Sequence, residues 1–177
     1  MKELLHGLVG NRFRGSVRSL SLAVVYEDCD THEQATAVYE GLVRDLDENT
    51  RLTATWWRTS LLNDPKLAKV AARAVSLSDL LLISVHDGAE PSSEFQRWVE
   101  SWPMEAHRAP ALMGLLYGRT DETESDWDRY LQAVARRWDM PYLAGSLASI
   151  MQSSSEPGQA EGDGHSVEPY VHWGLNE

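Results

Sequence analysis

The stretch LSLAVVYEDCDTHEQATAVYEGLVRDLD, Leu20 to Asp47, decides the fold. Its first seven residues, Leu20 to Tyr26, form a short apolar run rich in β-branched side chains, the pattern of a strand buried on both faces. The acidic cluster Glu27-Asp28-Cys29-Asp30 follows. Thr31 with Gln34 three residues later reads as a capping box, which predicts a helix start at that point. Ala35, Val38, Tyr39, Leu42, Val43 and Leu46 then recur at three- and four-residue spacing. That spacing predicts a helix to about Asp47 with one apolar face. A buried strand joined to an amphipathic helix by a polar loop is half of a parallel crossover unit.

The same alternation continues outward. Leu52 to Arg58 reads as a second strand, with Trp56 and Trp57 on opposite faces. Asp64 and Pro65 suit the N-cap and first position of a second helix, which continues through the Ala-rich stretch from Lys66 to Val75. Leu80 to Val85, after Asp79, is the most apolar run and the candidate central strand. A third helix starting near Ser92 carries the stripe Phe95, Trp98, Val99 and Trp102 before Pro103 stops it. Ala111 to Tyr117 is a fourth strand, ended by Gly118. A fourth helix opens around Glu124 to Asp126 and presents Trp127, Tyr130, Leu131, Val134, Ala135 and Trp138. Pro141-Tyr142-Leu143 offers a short fifth strand or a lead into Leu147 to Met151.

Strands separated by single helices require right-handed parallel crossovers. The expected class is therefore α/β, a three-layer α/β/α sandwich around an open parallel sheet of four or five strands. The expected order is 2-1-3-4, with the fifth strand at the edge.

At 177 residues the chain fits one ordinary domain that needs no disulfide or metal staple. Hydrophobic residues make up 42% and charged residues 24%, which excludes a disordered chain. The lone Cys29 rules out an intramolecular disulfide and fits a reducing compartment. Neither a signal peptide nor a run of about 18 apolar residues is visible, so the expected setting is cytoplasmic, away from membranes. A net charge of −11 argues against a nucleic-acid partner. The arm 1–19 is a local exception, because Lys2, Arg12, Arg14 and Arg18 outweigh Glu3. It reads first as a solvated leader to the domain 20–151, and secondly as a docking arm. In the tail 152–177, the stretch from Gln152 to Glu168 turns to Ser, Gly, Glu, Asp and Pro, which cannot bury enough apolar surface to fold alone. That tail ends in an aromatic segment carrying Tyr170, Trp173 and Leu175.

In open α/β sheets ligands bind outside the carboxyl ends of the strands, where strand order reverses. Here that crevice lies between the first and third strands and gathers Glu27, Asp28, Asp30, His86 and Asp87, beside Thr31, Ser84 and Glu90. Arg58, Ser60, Arg119 and Asp121 flank it. Converging carboxylates suit a weak Mg²⁺ or Mn²⁺ site, and His86 with a neighbouring carboxylate suits acid–base chemistry. The plainer reading is that exposed loops of an acidic protein carry acidic residues. No organic cofactor is expected, because GxGxxG, P-loop and GxSxG motifs are all missing and the acidic first loop repels phosphate. Cys29 sits near a helix start, which lowers a thiol pKa, but Asp28 and Asp30 raise it again, so it reads as an ordinary loop residue.

These features resemble the flavodoxin-like group and, within it, response-regulator receiver domains, over roughly Ser19 to Leu147. Glu27-Asp28 looks like the receiver's Mg²⁺-binding pair. The resemblance puts Ser84 at the phosphoacceptor position and Gly145 at the lysine position, and Leu115-Leu116-Tyr117 lacks the switch hydroxyl. Asp87 can stand in as acceptor only with a three-residue slip of the loop. The resemblance thus implies a receiver-like domain that has lost phosphorylation, and flavin binding is not expected.

Two functions follow as expectations. The first is a non-catalytic interaction or signalling module, with a protein partner or self-association, whose tail either docks a partner or folds back on its own domain. The second is a metal-dependent hydrolase or small-ligand-binding enzyme using the crevice carboxylates and His86. The tryptophans of the third and fourth helices are expected in the core, whereas Trp56 or Trp57 on an edge strand is a candidate self-association surface.

Overall fold

The computed structural model describes residues 18–88, 90–103, 109–118 and 125–145. Residues 1–17 of the arm, the tail with Tyr170, Trp173 and Leu175, and the flanking residues Arg119 and Asp121 lie outside the described residues, while Arg18 and Ser19 open the first strand.

Among the described residues five strands and four helices alternate. They are β1 (Arg18–Tyr26), α1 (Cys29–Asp45), β2 (Thr50–Arg58), α2 (Pro65–Leu77), β3 (Leu80–His86), α3 (Ser93–Glu100), β4 (Ala111–Tyr117), α4 (Asp126–Arg137) and β5 (Tyr142–Gly145). A 3-10 turn, Thr59–Asn63, joins β2 to α2. The sheet is all parallel in the order β2-β1-β3-β4-β5, the flavodoxin-like doubly wound order, and the fifth strand is present. Among the described residues no helix is long and apolar enough to cross a membrane.

Alternation along the strands divides the core in two. Leu22, Val24, Leu80, Leu82, Met113 and Leu115 meet Ala35, Val38 and Leu42 of α1 on one face. On the other face Ala23, Val25, Leu81, Ile83, Leu112 and Leu116 meet α2, α3 and α4. Each large aliphatic side chain fully buried there contributes about 1.5–3 kcal/mol. The tryptophans take the expected place: Trp98, Trp102 and Trp127 lie in that second core, with Trp138 packed against it. On β2, Trp56 and Trp57 do face opposite sides, and both are half-buried. Trp56 sits in an aromatic group with Tyr26, His32 and Tyr39.

Two long-range contacts fix the sheet. The Asp79 carboxylate accepts from the Ser21 amide at 2.9 Å and the Ser21 hydroxyl at 2.7 Å, latching β3 to β1 at their amino ends. Under α4, a Cβ on Gly114 would stand 2.8 Å from Leu131 Cδ1 and 3.0 Å from Tyr142 Oη. Glycine therefore leaves the room in which Tyr142 donates to Asp128 at 3.0 Å.

One expected detail is corrected. Thr31 is not the cap of α1; Asp28 is, and Thr31 occupies the third helical position. The Asp28 carboxylate accepts from the Thr31 amide at 3.1 Å, while Thr31 Oγ1 accepts from the Asp28 amide at 2.8 Å. Asp and Thr three residues apart satisfy each other's free amides, so the helix begins before Thr31 and buries it completely. Gln34 is thereby released from capping, and its side-chain oxygen lies 2.9 Å from the Ser84 hydroxyl.

Candidate functional site

The crevice at the carboxyl ends of β1 and β3 brings together Glu27, Asp28, Asp30 and His86. One Asp28 oxygen caps α1, and the other lies 2.7 Å from His86 Nε2. Glu27 accepts from the His86 backbone amide at 3.0 Å, and its own carbonyl accepts from Arg58 Nε at 3.2 Å. The His86 ring packs edge-on against Tyr117, with centroids 5.1 Å apart. Two loops and the end of β2 are thus tied around one histidine.

Asp87 is placed differently. Its backbone amide continues the ladder onto the Tyr117 carbonyl, and its carboxylate accepts from the Gly88 amide at 3.1 Å. Gly88, at φ 102°, carries the loop onward in a conformation that glycine alone adopts freely. Asp87 lies in the turn after β3 and is not among the residues whose ligand atoms converge. Ser84 is fully buried beneath α1, with its hydroxyl 2.8 Å from the Thr31 carbonyl.

The electrostatics follow from these bonds. Hydrogen bonds from the Thr31 amide and then the His86 ring hold the Asp28 carboxyl down at about 2. The Asp28 hydrogen bond, with the negative charges of Asp28, Glu27 and Asp30, raises His86 above its ordinary 6.5 against the opposing effect of desolvation. The pair therefore favours the charged imidazole more than an isolated histidine would.

Asp28, Asp30 and His86 each offer one ligand atom, and the three atoms lie within 4.8 Å of one another. Two ligands of a transition-metal ion at 2.0–2.1 Å stand at most about 4.2 Å apart, so the group must contract to hold one. The 2.7 Å contact of His86 with Asp28 is a hydrogen-bond distance, so a cation there competes with the proton on Nε2.

A second feature was not singled out in the sequence. Between α2, α3 and the 3-10 turn runs an open groove of about 1200 Å³. Leu62, Ala68, Ala72 and Trp98 supply its apolar lining, with Lys69, Arg73 and Arg97 as cations beside Glu94. Trp98 Nε1 donates to the Ala68 carbonyl at 3.0 Å, which holds the two helices at this separation. Lys66, Lys69 and Arg73 recur at i, i+3 and i+7, so one flank of α2 is a basic ridge, and the helix contains no acidic residue. Leu67 and Val70 are exposed on the outer side of the helix, and Leu77 is exposed at the groove. The signal available in the sequence was the double periodicity of residues 65–77, with small residues on one stripe and larger aliphatics on another.

No protein-family model matches the chain, and no curated protein is similar to it in sequence. Among solved structures it is similar to translation elongation factor SelB from Methanococcus maripaludis in the apo form, at 12% identity and a TM-score of 0.43. That match covers 80% of this chain, which spans about a third (32%) of the length of the elongation factor.

Proposed function

We propose that this chain is a non-catalytic protein-interaction module, receiver-like in topology but without phosphotransfer, whose docking surface is the groove between α2 and α3. Its occupant is an acidic segment with apolar or aromatic anchors. The observation that carries this reading is the groove itself: an apolar floor beside Lys69 and Arg73, on a helix without acidic residues, in a chain of net charge −11. A basic ridge on an acidic protein attracts acidic partners, and the floor supplies desolvated contact for their anchors. The crevice fits a supporting role. Ser84 is buried and bonded, and Asp28 and His86 satisfy each other, so the residues there act as a structural tie.

The test is fluorescence anisotropy with a short labelled peptide rich in Glu and carrying spaced Tyr, Trp and Leu. It is run on the native chain and on a Tyr170→Ala/Trp173→Ala chain, whose own aromatic segment cannot mask the groove. Saturable binding that weakens at least about tenfold in Lys69→Glu/Arg73→Glu, the equivalent of about 1.4 kcal/mol, is expected. Absence of binding by both chains, or equal binding by the charge-reversed variant, removes the reading.

The three converging ligand atoms of Asp28, Asp30 and His86 favour a second reading, a cation-dependent hydrolase or ligand-binding site. Imidazole with carboxylates suits Zn²⁺ or Mn²⁺ better than Mg²⁺. Isothermal titration with each of the three ions decides it: stoichiometric heat that disappears in His86→Ala supports a site, and no heat with any ion eliminates it.

A further inference from the structure

We propose that the groove between α2 and α3 is occupied by the chain's own C-terminal segment, Pro169 to Glu177, docked in cis. This inference rests on the docking reading above and names its occupant. The first argument is charge. Residues 152–177 contain five carboxylate side chains, Glu156, Glu161, Asp163, Glu168 and Glu177, and no Lys or Arg. Helix α2 is the reverse, with Lys66, Lys69 and Arg73 and no carboxylate. The second is anchor chemistry. Tyr170, Val171, Trp173 and Leu175 put four apolar side chains into six residues, directly after Glu168. They match a groove floored by Ala68, Ala72 and Leu62 and bounded by a Trp98 whose polar atom is already satisfied.

The third argument is reach. β5 ends at Gly145, and 24 residues separate it from Tyr170. A coil of that length would span about 25–30 Å on average. The helix layer over β1 and β3 lies two to three strand spacings from β5, about 10–14 Å across the sheet at about 4.8 Å each. The segment arrives without strain, and tethering gives it an effective concentration that a free competitor must exceed. Docking in cis makes the module self-masked, so that a partner with stronger anchors opens it by displacement.

Lysine usage makes the test specific. The chain has three lysines, Lys2, Lys66 and Lys69, and the last two both lie on α2. The full chain, mixed as ¹⁴N and ¹⁵N forms, is treated with a carbodiimide that condenses a lysine amine with a carboxylate, losing water, and is analysed by mass spectrometry. Links from Lys66 or Lys69 to Glu168 or Glu177 within one isotopic form are expected. Their yield should fall several-fold in Tyr170→Ala/Trp173→Ala. Mixed-isotope links alone, a preference for Lys2, or no links from Lys66 and Lys69 would each overturn the proposal, as would a yield indifferent to the aromatic substitutions. Peptide binding in the anisotropy assay without these links leaves the docking surface standing and assigns it to a foreign partner. Failure of the peptide as well removes both.

Discussion

Asp28 serves α1 with one oxygen and His86 with the other, so its two roles can be separated chemically. Asparagine caps helices about as well as aspartate but brings no charge to the imidazole. The folded Asp28 pKa lies below its ordinary 3.8, so its contribution is complete above about pH 4 and is lost as pH falls through about 2. His86 is raised above 6.5, so its contribution is complete below that value and is lost as pH rises through the higher folded one. The tie is therefore whole between about pH 4 and 6.5. An NMR titration of the His86 ring should give a midpoint above 6.5 that moves down in Asp28→Asn. An unmoved midpoint would show that the two do not pair in solution. At this scale the sequence disclosed Glu27, Asp28, Asp30 and His86, because topology alone delivers the ends of β1 and β3 to one place. Two matters depended on details of less than one helical turn. Thr31 and Asp28 are both good caps, and only their mutual spacing decides which one leads. Asp87 needed the exact end of β3, since it falls in the turn beyond it and outside the converging group. The space that Gly114 leaves for Tyr142 was hidden for another reason: it is made by residues from three different elements.

Helix α2 reverses the usual distribution of side-chain size. Its core face is Ala71, Ala72 and Val75, while Leu67, Val70 and Leu77 are left to solvent. Small residues inward let the helix lie close to β1 and β3, and the price is an apolar stripe outside. The two sides should respond oppositely to truncation. Val75→Ala removes buried carbon and leaves a void, a cost of about 2 kcal/mol, whereas Val70→Ser, 55% exposed, should stay within about 0.5 kcal/mol. Urea midpoints measure both, and an equal loss would mean that Val70 is covered in solution. The helix itself was plain from Asp64-Pro65 and the alanines that follow. Which of its stripes faces the sheet was not, because hydrophobicity ranks leucine above alanine and packing here ranks closeness first.

Across the whole molecule the strand order was readable because parallel connections admit few arrangements, and five alternating apolar runs leave little freedom. The groove was not, since it is a gap between two helices whose separation is set by Trp98 reaching Ala68, a contact 30 residues long in sequence. Charge distribution belongs to this scale too: three cations on one helix matter because the chain as a whole carries a net charge of −11. The latch between Ser21 and Asp79 has a consequence in time. It joins positions 58 residues apart, and β1 acquires its second neighbour only when that loop closes. Such non-local closure places folding at about milliseconds to seconds rather than microseconds. On a ribosome, one edge of the most central early strand therefore waits, open, until β3 has been synthesised, and the acidic residues that follow β1 keep that interval soluble.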